Sequence, residues 1–252
     1  MARARRWLTE RGIIRPNERE SAGKVMNNLL RILFKLSFST AFLASVGLAQ
    51  EAPVAGVPQL REVRGQTIFS KELPAADLTF GKDFHYVGGH RLNLYGNADA
   101  EQHLFVKAGN SGMIERFYWV QFEHFLPTNT YTYDYKLSGT MQIGDLPFVY
   151  DVKSWLDYAT SNAEDPASDG AGITRLAAQQ NLAFPKRAAR VRMFHLPSSD
   201  RRAELMIIYG EALPVDSLVP VRKEGVELDK EAPDAAKVFV ENARRDLSIR
   251  NK

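Results

Sequence analysis

Cysteine is absent from this chain of 252 residues. Disulfide bonds, thiolate metal sites, cysteine nucleophiles and a lipid-modified cysteine are therefore excluded. The chain also lacks the H-E-x-x-H motif of zinc enzymes, the G-x-S-x-G motif of serine hydrolases and the Lys-Ser/Thr of a phosphate-binding loop. No two of its histidines have the i, i+4 spacing of helical metal ligands; they are His85, His90, His103, His124 and His195. We predict no metal site and no cofactor.

Excess positive charge is confined to the first 49 residues. They hold nine of the 33 lysines and arginines but only three of the 30 acidic residues. Residues 50–252 therefore carry 24 basic and 27 acidic side chains, which is a formal net charge of −3. The basic composition thus belongs to residues 1–49, called the leader below, and it does not favour nucleic-acid binding by the rest of the chain. We predict no nucleic-acid partner.

The leader has the layout of a secretory signal peptide. Residues 1–25 are basic and have no apolar period, which predicts an unstructured extension, and Met26 is an alternative start. Residues 26–49 follow a basic beginning with a charge-free apolar run, residues 36–49, and small residues before the expected cut. This order of basic, apolar and small residues predicts a periplasmic or secreted protein.

A membrane anchor is the alternative interpretation of the same segment. The charge-free run has 14 residues, and a spanning helix needs roughly 20. Including residues 29–34 across Lys35 lengthens the run. An uncleaved segment 29–49 would make the protein an accessory factor anchored at the inner membrane, with its domain outside the cytoplasm. We expect membrane contact only in that case.

Residues 116–126 are the most strand-like segment of the chain. Tyr118, Val120 and Phe122 alternate with Phe117 and Trp119, so both sides of a strand here would be largely apolar. A strand exposed on one side alternates apolar with polar residues. The segment therefore predicts a central strand that is covered on both faces.

The remaining patterns predict an α+β fold in one domain, residues 67–252, behind a linker, residues 50–66. Glycine- and asparagine-rich turns separate short strands, which favours an antiparallel, mostly meandering sheet of about six to eight strands. Apolar residues at helical spacing predict two helices, in residues 173–182 and 233–249, packed on one face of that sheet. A lipocalin-like β-barrel with a C-terminal helix is the alternative.

One group of residues could supply acid–base chemistry. A hairpin between residues 116–126 and 130–135 would bring Glu123 or His124 near Asp134, and a carboxylate beside an imidazole suits general acid–base catalysis. Adjacent residues of a strand point to opposite faces, however, so Glu123 and His124 serve one site only if the strand is bulged. This objection outweighs the attraction of the pair, and structural ion pairs also produce such clusters, so we name these residues as catalytic candidates only.

Aromatic residues mark the region where a ligand would bind. Tyrosines alternate with polar residues over 131–135, and two tryptophans lie in predicted strands of the same aromatic region. Core and sheet surface are the favoured roles for these side chains, because aromatic residues are common in strands generally. The ligand-binding candidates are Trp119, Tyr131, Tyr133, Tyr135 and Trp155.

Export signals in this sequence are stronger than catalytic ones. We therefore expect an exported, non-catalytic binding or interaction protein, which takes a small apolar or aromatic ligand or contacts an envelope protein. An envelope hydrolase with a carboxylate/His pair and an accessory protein anchored at the inner membrane are the alternatives.

Overall fold

The computed structural model describes residues 13–14, 59–137, 139–163 and 165–252. The strands in these ranges are β1 (Ile13–Ile14), β2 (Glu62–Arg64), β3 (Thr67–Ser70), β4 (Ala76–Phe80), β5 (His85–Leu94), β6 (Ala98–Ala108), β7 (Ile114–Phe125), β8 (Thr132–Tyr133), β9 (Gly139–Ile143), β10 (Leu146–Leu156), β11 (Arg187–His195), β12 (Ala203–Ala212), β13 (Val226–Glu227) and β14 (Leu247–Asn251). The helices are α1 (Tyr158–Ala163), α2 (Asp169–Gln179), α3 (Leu228–Glu231) and α4 (Pro233–Arg245).

Two antiparallel sheets form the body of the protein. The large sheet has eight strands in the order β13-β10-β11-β12-β7-β6-β5, with β9 also paired to β10. It contains two meanders, β5-β6-β7 and β9-β10-β11-β12, which meet where β7 pairs with β12, and the short strand β13 pairs with β10. The small sheet has four strands in the order β14-β4-β3-β2. The predicted antiparallel α+β architecture is confirmed.

Strand β7 is central, as its sequence predicts, because it pairs with β6 on one side and β12 on the other. Its two faces are buried against different layers. The front face, which carries Tyr118, Val120 and Phe122, packs against the small sheet and α4. The back face, which carries Phe117 and Trp119, packs against α2. Two apolar faces need two covers, and the chain supplies a sheet with a helix for one and a helix for the other.

Three parts of the fold prediction are wrong. The two main helices cover opposite faces rather than one, because each apolar face of the large sheet requires its own cover. The large sheet is open, with β13 and β5 at the ends of its strand order, so the barrel alternative is excluded. The described residues also form more strands and helices than predicted. One of the additional strands is β14, because the predicted C-terminal helix ends at Arg245 and the chain continues as a strand.

The leader lies mostly outside the described residues, including the predicted signal segment 26–49 and the anchor alternative 29–49. Ile13 and Ile14 are described, and they pair antiparallel with Tyr133 and Thr132. Strand β2 falls within the segment predicted as a linker. Among the helices of the described ranges, none is both long and apolar enough to span a membrane.

Candidate functional site

A cavity of about 460 Å³ opens on the front face, at the edge of the large sheet where β6 and β12 begin and β7 ends. Glu101, Phe122 and His124 line it from the large sheet, and Arg91 lines it from β5. Residues 70–73, which lead out of β3, and the preceding arm, residues 60–61, form the opposite wall. The cavity therefore lies where the small sheet stops covering the large one.

Glu101 is the central residue of the cavity wall, and its side chain is only 2 % exposed. Its Oε1 accepts hydrogen bonds from the Arg61 backbone N–H at 3.0 Å and from Nε2 of His103 at 2.9 Å. Its Oε2 accepts from the Leu60 backbone N–H at 3.0 Å and from Nη1 of Arg61 at 3.2 Å. A carboxylate offers about four lone-pair positions, so these four donors use its full accepting capacity.

The ionised form of Glu101 is favoured by its partners. Burial by itself raises the pKa of the Glu101 carboxyl, but the hydrogen bond from His103 and the positive charge of Arg61 outweigh burial, so its pKa lies below the ordinary value. The buried carboxylate is thus an anion that holds the arm against β6.

Arg61 ties the arm to three neighbours besides Glu101. Its guanidinium carbon lies 3.7 Å from the centroid of the Phe122 ring. Its Nε donates to Oγ of Ser70 at 3.1 Å, and its Nη2 donates to the backbone oxygen of Glu72 at 3.0 Å. A stacked and hydrogen-bonded guanidinium of this kind fixes one wall of the cavity.

His103 completes a buried carboxylate–imidazole pair, but it cannot reach a ligand. Its ring is fully buried, with Nε2 bonded to Glu101 and Nδ1 at 3.0 Å from the Tyr86 hydroxyl. With the proton on Nε2 donated to Glu101, Nδ1 accepts from Tyr86. Burial raises the pKa of Tyr86 to about 12, so this hydroxyl keeps its proton near neutral pH. Both imidazole nitrogens are therefore committed to structural bonds.

The structure does not bring the three catalytic candidates into one constellation. His124 is exposed and lines the cavity on the front face. Glu123, its neighbour on the strand, also borders the cavity, but its buried carboxylate accepts from Gln121 and Tyr133 on the back-face side. The Asp134 carboxylate forms ion pairs with Arg201 and Lys136, each at 2.7 Å, away from both.

Glu123 belongs to a second buried network, on the back face. It accepts hydrogen bonds from Nε2 of Gln121 and from the Tyr133 hydroxyl, both at 2.5 Å. Its cross-strand neighbour on β12 is Glu204, which is fully buried and accepts from the Tyr135 hydroxyl. Burial, followed by the nearby carboxylates, raises the pKa of Tyr133 well above its ordinary value. These two predicted ligand-binding tyrosines thus donate to buried carboxylates.

The other three ligand-binding candidates also lie within packed aromatic groups. Trp119 is 2 % exposed in the cluster under α2. The Trp155 ring lies 4.0 Å from the Arg190 guanidinium carbon. The half-buried Tyr131 ring meets the Phe125 ring edge-on at 5.8 Å. In the described part of the chain the aromatic residues of the cavity are Phe122 and Phe125, rather than the five candidates.

The sequence contained one overlooked signal for this site. Glu101 and His103 lie on β6 with the i, i+2 spacing that places two side chains on one face of a strand. Arg61 and Arg91 carried no motif, because the contacts that define their roles join separate segments of the chain. Within the described ranges, no group of three or more His, Asp or Glu side chains is placed to hold a metal ion.

No protein-family model, no curated protein and no solved structure matches this chain. The site is therefore interpreted from its geometry and chemistry.

A half-buried histidine near α2, His90, gives the fold a specific pH dependence. A methyl group at Gly172 would lie 2.9 Å from Nε2 of His90. Burial, with a contribution from the Arg175 charge, lowers the pKa of His90 to about 4. In the unfolded chain His90 has its ordinary pKa of about 6.5 and is protonated more readily than in the fold. The stability that neutral His90 allows is therefore fully present above about pH 6.5 and is lost as the pH falls toward 4. Between pH 7.5 and 4.5 we expect a loss of about 2–3 kcal/mol from this residue.

Urea unfolding at the two pH values tests this expectation. The His90→Gln variant should lose less stability than the parent between pH 7.5 and 4.5, whereas His85→Gln, at an exposed position of the same strand, should behave as the parent. Burial also lowers the pKa of His195, so only the difference between parent and variant isolates His90. Equal losses for the parent and His90→Gln would contradict the assignment.

Proposed function

We propose that this protein is an exported, non-catalytic binding protein whose cavity takes a small, largely apolar molecule. The observation that carries the proposal is the cavity itself. Its volume of about 460 Å³ falls within the range of about 300–1,000 Å³ typical of small-molecule sites. Six of its 18 lining residues are apolar and supply the surface for an apolar molecule; they are Leu60, Leu73, Ala100, Phe122, Phe125 and Ala203.

Exposed leucines at the cavity support an apolar ligand. Leu60 is 62 % exposed and Leu73 is 42 % exposed, and both line the cavity together with the buried Phe122 ring. Exposed apolar side chains that converge on a concave surface are typical of binding sites. A bound apolar molecule would remove these side chains from water.

The polar groups of the cavity favour binding over catalysis. The Ser70 hydroxyl accepts from Arg61 and donates to the Glu72 backbone oxygen. The Ser198 hydroxyl donates to the Asp200 carboxylate at 2.7 Å. A serine nucleophile requires a base that accepts its proton, such as a histidine. Neither hydroxyl donates to a histidine in the described part of the chain, so a serine–histidine pair does not support catalysis here.

Export remains part of the proposal because of the signal-like pattern in residues 26–49 and the absence of cysteine. An uncleaved segment 29–49 would instead hold the same binding domain at the inner membrane. Mass spectrometry of the N-terminus of the protein recovered from cells distinguishes these forms. A new N-terminus near residue 50 supports export with cleavage, and a chain that retains residues 29–49 supports the anchored form.

A neutral apolar dye, N-phenyl-1-naphthylamine, tests the binding site. We expect saturable fluorescence enhancement with one dye per chain. His124→Trp, which adds bulk inside the cavity, should weaken the dye by about tenfold. Leu60→Ser should weaken it by a smaller factor, and Leu218→Ser, a matched control at a fully exposed leucine outside the cavity lining, should leave it unchanged. Binding that His124→Trp does not affect would place the site elsewhere, and absence of binding would contradict the proposal.

A further inference from the structure

The leader contributes a short strand to the domain. Strand β1 pairs antiparallel with β8, with Ile13 opposite Tyr133 and Ile14 opposite Thr132. The other edge of β8 is held by the loop before β12, because the Tyr133 N–H donates to the backbone oxygen of Arg201 at 2.9 Å. A pair of two-residue strands is too short to be stable through its backbone hydrogen bonds alone. Side chains that flank β1 must therefore add to this contact.

The side of β8 that Ile13 faces carries the buried acidic network. Residues directly opposite one another in an antiparallel pair point to the same side, so Ile13 lies on the side of the fully buried Tyr133. The Tyr133 hydroxyl donates to Glu123 at 2.5 Å. Glu123 and Glu204 are both buried, and they lie directly opposite each other on β7 and β12. One tyrosine thus joins β8 to a pair of adjacent buried carboxylates.

Two adjacent buried carboxylates are both ionised only beside a positive charge. Like charges at this separation disfavour ionisation of the pair, and burial adds to the cost, whereas a nearby cation offsets both effects. A cation must therefore come close to Glu123 and Glu204 if both are to stay ionised. Three described arginines around the network donate to other acceptors: Arg192 to Asp151, Arg201 to Asp134, and Arg202 to the backbone oxygens of Tyr131 and Leu126.

We propose that Arg11 and Arg15 of the leader supply this positive charge, and that residues 11–15 form a basic strand docked on β8. Both arginines lie outside the described residues. Their positions, two residues before and two residues after Ile13, place them on the same side of an extended strand as Ile13. Continuing the register sets Arg11 opposite Tyr135, whose hydroxyl donates to Glu204. The occupant of this surface is thus a segment of the chain itself.

Docking of the leader places a condition on where the chain can be. Strand β1 precedes the signal-like segment 26–49, and β8 follows it. The two strands can therefore pair only when both lie on the same side of a membrane. Cleavage near residue 50 would release β1 from the domain. Docking thus belongs to the uncleaved chain before the membrane separates its two parts, and it does not depend on a ligand in the cavity.

Engineered disulfides in the full chain test the register of the docked strand. The chain contains no cysteine, so each pair reports only on the two positions changed. Ile14→Cys/Thr132→Cys joins directly opposite positions and should form an intramolecular disulfide on mild oxidation, detected by peptide mass spectrometry. Ile14→Cys/Thr130→Cys is displaced by two residues and should stay largely reduced, because Cα atoms more than about 7 Å apart are not bridged without backbone movement.

Hydrogen exchange tests the role of the two arginines. Arg11→Gln/Arg15→Gln should speed exchange of the Thr132 backbone amide by about tenfold or more, because a released strand leaves this edge of β8 open to water. Arg3→Gln/Arg19→Gln removes the same charge from the leader outside residues 11–15 and should leave the exchange unchanged. Arg11→Lys/Arg15→Lys keeps the charge and should retain most of the protection.

Glu204→Gln tests whether the buried carboxylates are the partners of the arginines. This substitution removes one negative charge of the pair and keeps an oxygen that accepts from Tyr135. Arg11→Gln/Arg15→Gln should therefore speed exchange much less in the Glu204→Gln background than in the parent. Circular dichroism confirms that each variant is folded, and the disulfide pair decides the docking if a glutamine variant does not fold.

The outcomes distinguish the parts of this proposal. Equal oxidation of the two cysteine pairs would overturn the docked strand. Exchange unaffected by Arg11→Gln/Arg15→Gln, or accelerated equally by Arg3→Gln/Arg19→Gln, would overturn the assignment of the two arginines. An undiminished effect in the Glu204→Gln background would show that the carboxylates are not their partners. None of these results bears on dye binding in the cavity, which is tested separately.

Discussion

Glu101→Ala is expected to destabilise the protein by about 3–5 kcal/mol, the range seen when one partner of a buried ion pair is removed. The substitution deletes the acceptor for four hydrogen bonds. It leaves the Arg61 guanidinium, whose side chain is 8 % exposed, without its carboxylate. It also leaves two backbone N–H groups of the arm without an acceptor, and a buried unsatisfied donor costs about 1–3 kcal/mol.

Urea unfolding at pH 7 measures this loss. Glu72→Ala is the matched control, because this carboxylate is exposed in the same cavity lining, and it should change stability by no more than about 0.5 kcal/mol. The double variant Arg61→Ala/Glu101→Ala should lose less free energy of unfolding than the two single variants lose together. The reason is that the double variant has no Arg61 guanidinium left without a carboxylate. A cost below about 1 kcal/mol for Glu101→Ala would contradict its role.

Gly210→Ala is expected to cost at least about 2 kcal/mol, because overpacking of a core typically costs about 1–3 kcal/mol and occasionally more. A methyl group at this position of β12 would lie 2.0 Å from Cζ and 2.1 Å from Cε1 of the Phe117 ring, its cross-strand neighbour on β7. The ring cannot move aside easily, since it contacts Tyr158 and Phe184 at centroid distances of 5.9 and 5.0 Å. The glycine is therefore needed for close approach of the ring.

Thermal and urea unfolding of a double-variant cycle test this explanation. Phe117→Leu removes the part of the ring that the new methyl group meets. Gly210→Ala should therefore cost less in the Phe117→Leu background than in the parent, a negative coupling between the two sites. An equal cost in both backgrounds would show that the ring is not the cause.

Local patterns were sufficient for the parts of the fold that depend on neighbouring residues. The aromatic residues on both sides of 116–126 identified β7 as a central strand, because alternation in a strand reports which faces are buried. The glycine-containing turns after β5 and β6 predicted the first meander, because short connections force antiparallel pairing. These inferences required no knowledge of distant segments.

The errors all concern contacts between distant segments. Residues 247–251 pair with β4, about 170 residues earlier, and this pairing overrides their helical spacing. The assignment of α2 and α4 to opposite faces depends on which apolar face each segment can reach after the sheet has formed. Propensity and periodicity describe a segment, but they do not identify its partner.

The candidate site shows the same division. By itself the sequence excluded cysteine chemistry and the recognised catalytic motifs. It also showed a signal-like leader and predicted an aromatic, largely antiparallel sheet. Only the tertiary structure decided that Glu101 is saturated by Arg61, 40 positions away, and by His103. The physical reason is that hydrogen-bonding capacity and burial are properties of a folded neighbourhood, and that neighbourhood is assembled from residues far apart in the chain.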